Sequence, residues 1–129
     1  MFDGGSLGDA ERLIDEWRGA IEERAARARA LESRLARLSE TARSPDGLVT
    51  VTVGARGDLT GLDLAEAVRQ RPAAVTAREI LATVRIARGA LLTAVTAATT
   101  EAMGPGTATG RAVVESFTDR LAPGGDGRV

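Results

Sequence analysis

The sequence predicts an α+β fold: a long N-terminal helix, a small antiparallel β-meander of two or three strands, a second helix, and a short C-terminal helix or tail. Three observations predict it. Apolar residues recur at alternating spacings of three and four from Ile14 to Ala42, the seam of a helix that packs on another helix. The period drops to two at Leu48–Val53, where Val49, Val51 and Val53 share one face of a strand and the threonines the other. Helical spacing then returns at Ile80.

The first helix is expected from about Leu7 to Ala42, with Ser6 and Asp9 as its N-cap signal. Its seam reads Ile14, Trp17, Ile21, Arg24, Ala28, Leu31, Leu35, Leu38 and Ala42; Leu13 widens the stripe. Gly19 weakens it by up to ~1 kcal/mol relative to Ala. At 1.5 Å per residue the helix would be about 50 Å long. One small domain cannot cover so long a seam, so a partner helix from a second copy is expected. Charge is split along it. Asp9 to Glu23 holds six acids and two arginines, net −4, and Arg24 to Arg43 holds six arginines and two glutamates, net +4. That order suits the helix macrodipole, and it would also suit antiparallel pairing of two copies.

Ser44-Pro45-Asp46-Gly47 is a turn signal, with Pro and Gly at the positions a tight turn favours. The valine strand follows, then a short loop at Gly54–Gly57, then a second alternating run, Asp58 to Leu64, with Leu62 and Leu64 on one face. A further short strand at Glu40–Arg43 would make the meander three-stranded. So small a sheet needs a helix or another sheet over its apolar face.

Ala65 to Val75, containing Pro72, reads as a connector. Thr76-Ala77-Arg78-Glu79 has the spacing of a capping box, so the second helix is expected from Ala77 to Met103. Ile80, Val84, Ala87, Leu91, Val95, Ala98 and Ala102 form its apolar stripe, and Gly104-Pro105-Gly106 stops it. Residues 1–103 thus form one α-β-α domain, and residues 104–129 a Gly-rich tail. Within the tail, Arg111 to Leu121 carries Val113, Val114, Phe117 and Leu121 at helical spacing. Two readings stay open: a short amphipathic helix docked on the core or a partner, or a mobile tail.

Composition excludes much chemistry. The 129 residues contain no His, Cys, Tyr, Lys or Asn, and all 17 basic residues are Arg. Zinc sites, disulfides, Cys–His catalysis and a Ser-His-Asp triad therefore drop out. Schiff-base chemistry and Walker-type phosphate loops drop out with lysine. Gly104-Pro-Gly-Thr-Ala-Thr-Gly110 follows a helix rather than a strand and lacks the Gly-Lys pair of such a loop. The acids of the first helix read as dipole-matching surface charge. No enzyme and no cofactor is expected. A net charge of −1 gives no global basic field. Met1 to Asp9 lacks the cationic and apolar regions of a secretion signal, and no run reaches the ~18–20 uninterrupted apolar residues of a membrane span. A cytoplasmic location and no membrane partner are expected.

A nucleic-acid role would rest on Arg24, Arg27, Arg29, Arg34, Arg37 and Arg43. Arg27 and Arg34 lie seven apart on one helix face, with Arg37 three beyond. Guanidinium groups suit phosphate geometry. No aromatic residue interleaves them, so binding would be salt-sensitive and largely blind to sequence. Trp17-Arg18-Gly19 matches the tripeptide found at the helix–helix turn of small proteins exported by type VII secretion. Here it sits inside an unbroken heptad pattern, which makes Trp17 a seam residue.

The ordered set of Ser44-Pro-Asp-Gly-Leu-Val-Thr-Val-Thr-Val-Gly54, Gly57-Asp-Leu-Thr-Gly-Leu-Asp-Leu64 and an Ala-rich helix ending in Glu101-Ala-Met103 resembles the YbaB/EbfC family of bacterial nucleoid-associated proteins over roughly Ile21 to Met103. The resemblance implies a homodimer with a shared core, long helices projecting like tweezers, and binding of duplex DNA with little sequence preference in the nucleoid. On this chain the expected phosphate contacts are Arg24, Arg27, Arg34, Arg37 and Arg43. The chain departs from the family at Val84-Arg-Ile-Ala-Arg-Gly-Ala90, where many members carry an Asn-Asp-Ala stretch, and in its tail. Those departures suit an actinobacterial-type branch. They keep a second reading open: a protein-interaction or chaperone-like scaffold, serving a type VII secretion locus, that holds a small helical partner through Val113, Phe117 and Leu121.

Overall fold

Alternation in the valine strand sets the floor of the core. In the computed structural model, which describes residues 4–121 and side chains from Leu7 onward, Val49, Val51 and Val53 are fully buried. They lie on β2 (Val49–Gly54), the central strand of a three-stranded antiparallel sheet. β1 (Ser39–Arg43) pairs on one side, with Ala42 opposite Val51, and β3 (Leu59–Leu64) pairs on the other, with Leu62 opposite Val51 and Leu64 opposite Val49. The reverse face carries threonines, and the Thr41 and Thr52 hydroxyls hydrogen-bond across it at 2.9 Å. The α+β class and the order of elements are as the sequence predicts.

The first helix, α1 (Gly4–Ala36), is shorter at its C-terminal end than expected. Arg37 and Leu38 donate their N–H groups to Arg34 and Leu35 at 3.2 Å, a tightened last turn that releases the chain into β1. Ala42, expected on the helical seam, is buried in the sheet instead. Leu38 and Ala42 fit either period, and pairing with β2 decides between them. At the other end α1 already begins at Gly4, so Ser6 lies inside the helix rather than at its cap, and its side chain is outside the description.

A short 3-10 helix (Glu66–Gln70) occupies the connector and leads into α2 (Ala73–Met103). Ala87, Leu91, Val95 and Ala98 are fully buried; Ile80, Val84 and Ala102 flank them. Small side chains on this stripe let α2 lie close over β2 and β1. By length and hydropathy α2 could also cross a membrane, but its buried stripe makes it the core helix of this fold. Leu31 and Leu35 of α1 are buried in the same cluster.

The expected capping box does not form. α2 starts one turn earlier, behind Pro72, which puts Thr76 and Glu79 inside the helix, where Arg71 binds both. Its Nε donates to the Thr76 hydroxyl at 3.0 Å, and its Nη1 pairs with Glu79 at 2.7 Å and with Asp46 at 2.9 Å. Asp46 also accepts from the Ser44 hydroxyl at 2.6 Å and the Leu48 N–H at 3.0 Å, while the Ser44 oxygen accepts from Val49 N–H at 3.0 Å. One network thus ties the β1–β2 turn to the start of α2.

The tail resolves to the docked-helix reading. α3 (Ala108–Leu121) starts three residues before the expected Arg111, with the Thr107 hydroxyl accepting from Gly110 N–H at 3.1 Å. Val113 and Phe117 pack against the core and Leu121 is buried in it. Gly57, with φ of 80°, turns the chain from β2 to β3 directly against Leu121, and the Arg88 Nε donates to its carbonyl at 2.9 Å. A Cβ at Gly57 would overlap the Leu121 side chain. Residues 122–129 of the expected tail lie outside the description.

Two outcomes are expected. Leu91→Ala empties the centre of the core and should cost about 2–5 kcal/mol in chemical denaturation. The Ser44 hydroxyl, followed by the Leu48 N–H and with help from Arg71, holds the Asp46 carboxyl well below the usual carboxylate range. Its folded-state pKa is therefore depressed. The stabilisation is complete above about pH 4, the unfolded value, and drains away as pH falls below it. Melting temperature against pH should show Asp46→Asn less stable than the parent at neutrality, with the gap closing under acid.

Candidate nucleic-acid interface

α1 is two segments in one helix. From Arg24 onward it runs beside the body: Leu31 and Leu35 are buried, and Arg24, Ala25, Arg27 and Ala28 line a cleft with Ala102, Met103 and Thr109. Before Arg24, the apolar seam residues stand exposed. The same boundary divides the charge, acidic before and basic after.

The structure does not gather the five candidate arginines on one projecting surface. Arg24 is exposed on the cleft-side line of α1, seven residues before Leu31. Arg27 sits 3.6 Å from Glu23, one turn earlier. Arg34 reaches across to α2 and pairs with Glu101 at 2.6 Å. Both members of that pair are largely exposed, so it splints the helices more than it stabilises them. Arg37 leaves α1 in its final tightened turn. Arg43 ends β1, its guanidinium beside Gly47 of the β1–β2 turn. Three of the five therefore belong to the body-side half of α1, one to its exit and one to the sheet. Arg29 points roughly opposite to Arg27 and Arg34. Arg24, Arg37 and Arg43 form no ion pair among the described residues.

Two features escaped the sequence reading. Arg78 and Arg85, seven apart, make an exposed basic row on α2. Their spacing is visible in the sequence, but two arginines seven apart do not mark a surface until the helix's buried face is known. The second is the face of β3. Directly opposed residues in an antiparallel pair share a face, so Leu62 and Leu64 point the same way as the buried Val51 and Val49. Yet they remain 42% and 44% exposed, because α2 lies over β2 and β1. The chain leaves that strip of its own core open.

Val113, Phe117 and Leu121, expected to meet a small helical partner, are engaged by the chain's own core. A partner seated on them would have to displace α3. Among the described residues no group of three potential metal-ligating side chains comes together.

The sequence profile of the YbaB/EbfC DNA-binding family matches residues 14–111, which takes in most of α1, the whole sheet, α2 and the first residues of α3. No curated protein and no solved structure matches the chain. With the profile extending over well more than half its length and the helix–meander–helix order in place, the chain belongs to the YbaB/EbfC DNA-binding family.

Proposed function

We propose that the protein is a non-enzymatic, nucleoid-associated homodimer that binds duplex DNA through its phosphate backbone with little regard to sequence. One observation carries the DNA reading beyond family membership: between Asp9 and Arg43 the net positive charge falls entirely on the body-side half of α1 and the adjoining β1. The contacts fall to Arg24, Arg37 and Arg43 first, since none of them forms an ion pair among the described residues. Arg27 and Arg34 join by exchanging Glu23 and Glu101 for phosphate. The duplex lies against the body rather than between the tips of the projecting helices, because the tips are acidic and phosphates repel them.

The dimer reading rests on β3. Leu62 and Leu64 extend the valine floor past the cover α2 provides, and a second copy meeting that strip would complete it. The location that follows is the nucleoid, in the cytoplasm.

On random duplex, anisotropy titrations should give a log–log salt slope of about −5 for six phosphate contacts per dimer. Replacing Arg24, Arg37 and Arg43 together by Gln should weaken binding at least ten-fold near 0.1 M salt and flatten that slope. Undiminished affinity in the triple variant would remove these residues from the interface. In analytical ultracentrifugation the parent should sediment as a dimer and Leu62→Ser/Leu64→Ser as a monomer. A monomeric parent at micromolar concentration would end the dimer reading.

A further inference from the structure

The projecting half of α1 carries a feature that DNA binding does not use. Leu13, Ile14, Trp17 and Ile21 are 66%, 49%, 67% and 43% exposed, and they continue the line that Leu31 and Leu35 bury farther along the same helix. Leu13, Ile14, Glu16 and Trp17 border a shallow concavity on that surface. Acids run beside the stripe in two rows: Asp9, Glu16 and Glu23 at intervals of seven on one side, Asp15 and Glu22, also seven apart, on the other. Asp9 and Glu23 pair with Arg12 and Arg27, whereas Asp15, Glu16 and Glu22 form no ion pair among the described residues.

We propose that this arm is a docking surface for a basic amphipathic helix of a different protein, whose apolar face seats on Trp17 and whose flanking Arg or Lys residues meet the acidic rows. Charge selects this occupant over the others. DNA and anionic lipid carry the same sign as the arm. A second copy of the arm would set net −4 against net −4. Sliding the second copy until its basic half lies opposite fails as well, because Leu31 and Leu35 there are already buried in the core. A partner helix with apolar and cationic faces satisfies both the stripe and its borders, and an exposed tryptophan at the centre supplies the anchor such interfaces favour.

Trp17 is the chain's single tryptophan and reports on its own surroundings. The test uses the full chain at 1 µM, about two orders below that in a parallel dilution, and a synthetic four-heptad peptide with Leu at the core positions and Arg at the flanks. The expected result is a saturable blue shift of Trp17 emission with the Arg-flanked peptide, weakened by salt. The same peptide with Glu flanks, random duplex DNA and phosphatidylglycerol vesicles should leave the emission unchanged. Asp15→Asn/Glu16→Gln/Glu22→Gln should weaken peptide binding at least ten-fold, and Ile21→Ser should also weaken it, with circular dichroism of both variants matching the parent. No shift with the Arg-flanked peptide overturns the proposal. So does an equal shift with the Glu-flanked peptide, DNA or vesicles, and so does emission that is blue in the free protein and reddens on dilution, which would assign the stripe to a second copy. Binding unaffected by the triple neutralisation overturns it too.

Discussion

The close seat of α2 on the valine strand is the contact on which the molecule depends. Three valines of one size, alternating along β2, make a flat floor. Ala87, Leu91, Val95 and Ala98 above them let the helix approach because two of the four are alanine. Everything else is placed by that seat. α1 can pack only where α2 offers it Leu31 and Leu35 a place in the cluster, α3 lies along α2, and β3 keeps its leucines bare because the helix is centred over its neighbours. A bulkier residue at Ala87 or Ala98 would lift α2 and disturb each of these relationships together.

That arrangement gives the long helix two duties. Its second half belongs to the body and carries the positive charge; its first half leaves the body and carries the negative charge. A helix serving only as a DNA clamp would have little use for acids at its tip. A helix serving only as a packing element would have little use for an exposed tryptophan. Dividing one rigid element this way lets a single chain present a cationic surface near its centre and an anionic, apolar one at a distance, with no hinge between them.

Much of this was legible from residue order alone. Val49, Val51 and Val53 alternate with threonines, and the α2 stripe keeps helical spacing from Ile80 to Ala102, so both central elements and their buried faces follow from pattern. What failed were the places where two readings fit the same residues. Leu38 and Ala42 satisfy a helix and a strand alike, and only the partner strand tells them apart. Thr76 and Glu79 have the spacing of a cap, but Arg71, in a stretch with no periodicity, binds them both. Of the candidate site, the division of charge was readable, since it lies along one helix. The pairing of Arg34 with Glu101 was not, because 67 residues separate them and nothing local marks either as the other's partner.

The placement of aromatic residues has an optical consequence. The chain has one tryptophan and no tyrosine, and that tryptophan stands on the arm, away from the valine floor and the helix above it. Indole emission is therefore blind to melting of the body, which far-ultraviolet dichroism registers through its helices and sheet. Covering of the arm's face therefore changes indole emission, while far-ultraviolet dichroism registers the helices of arm and body together.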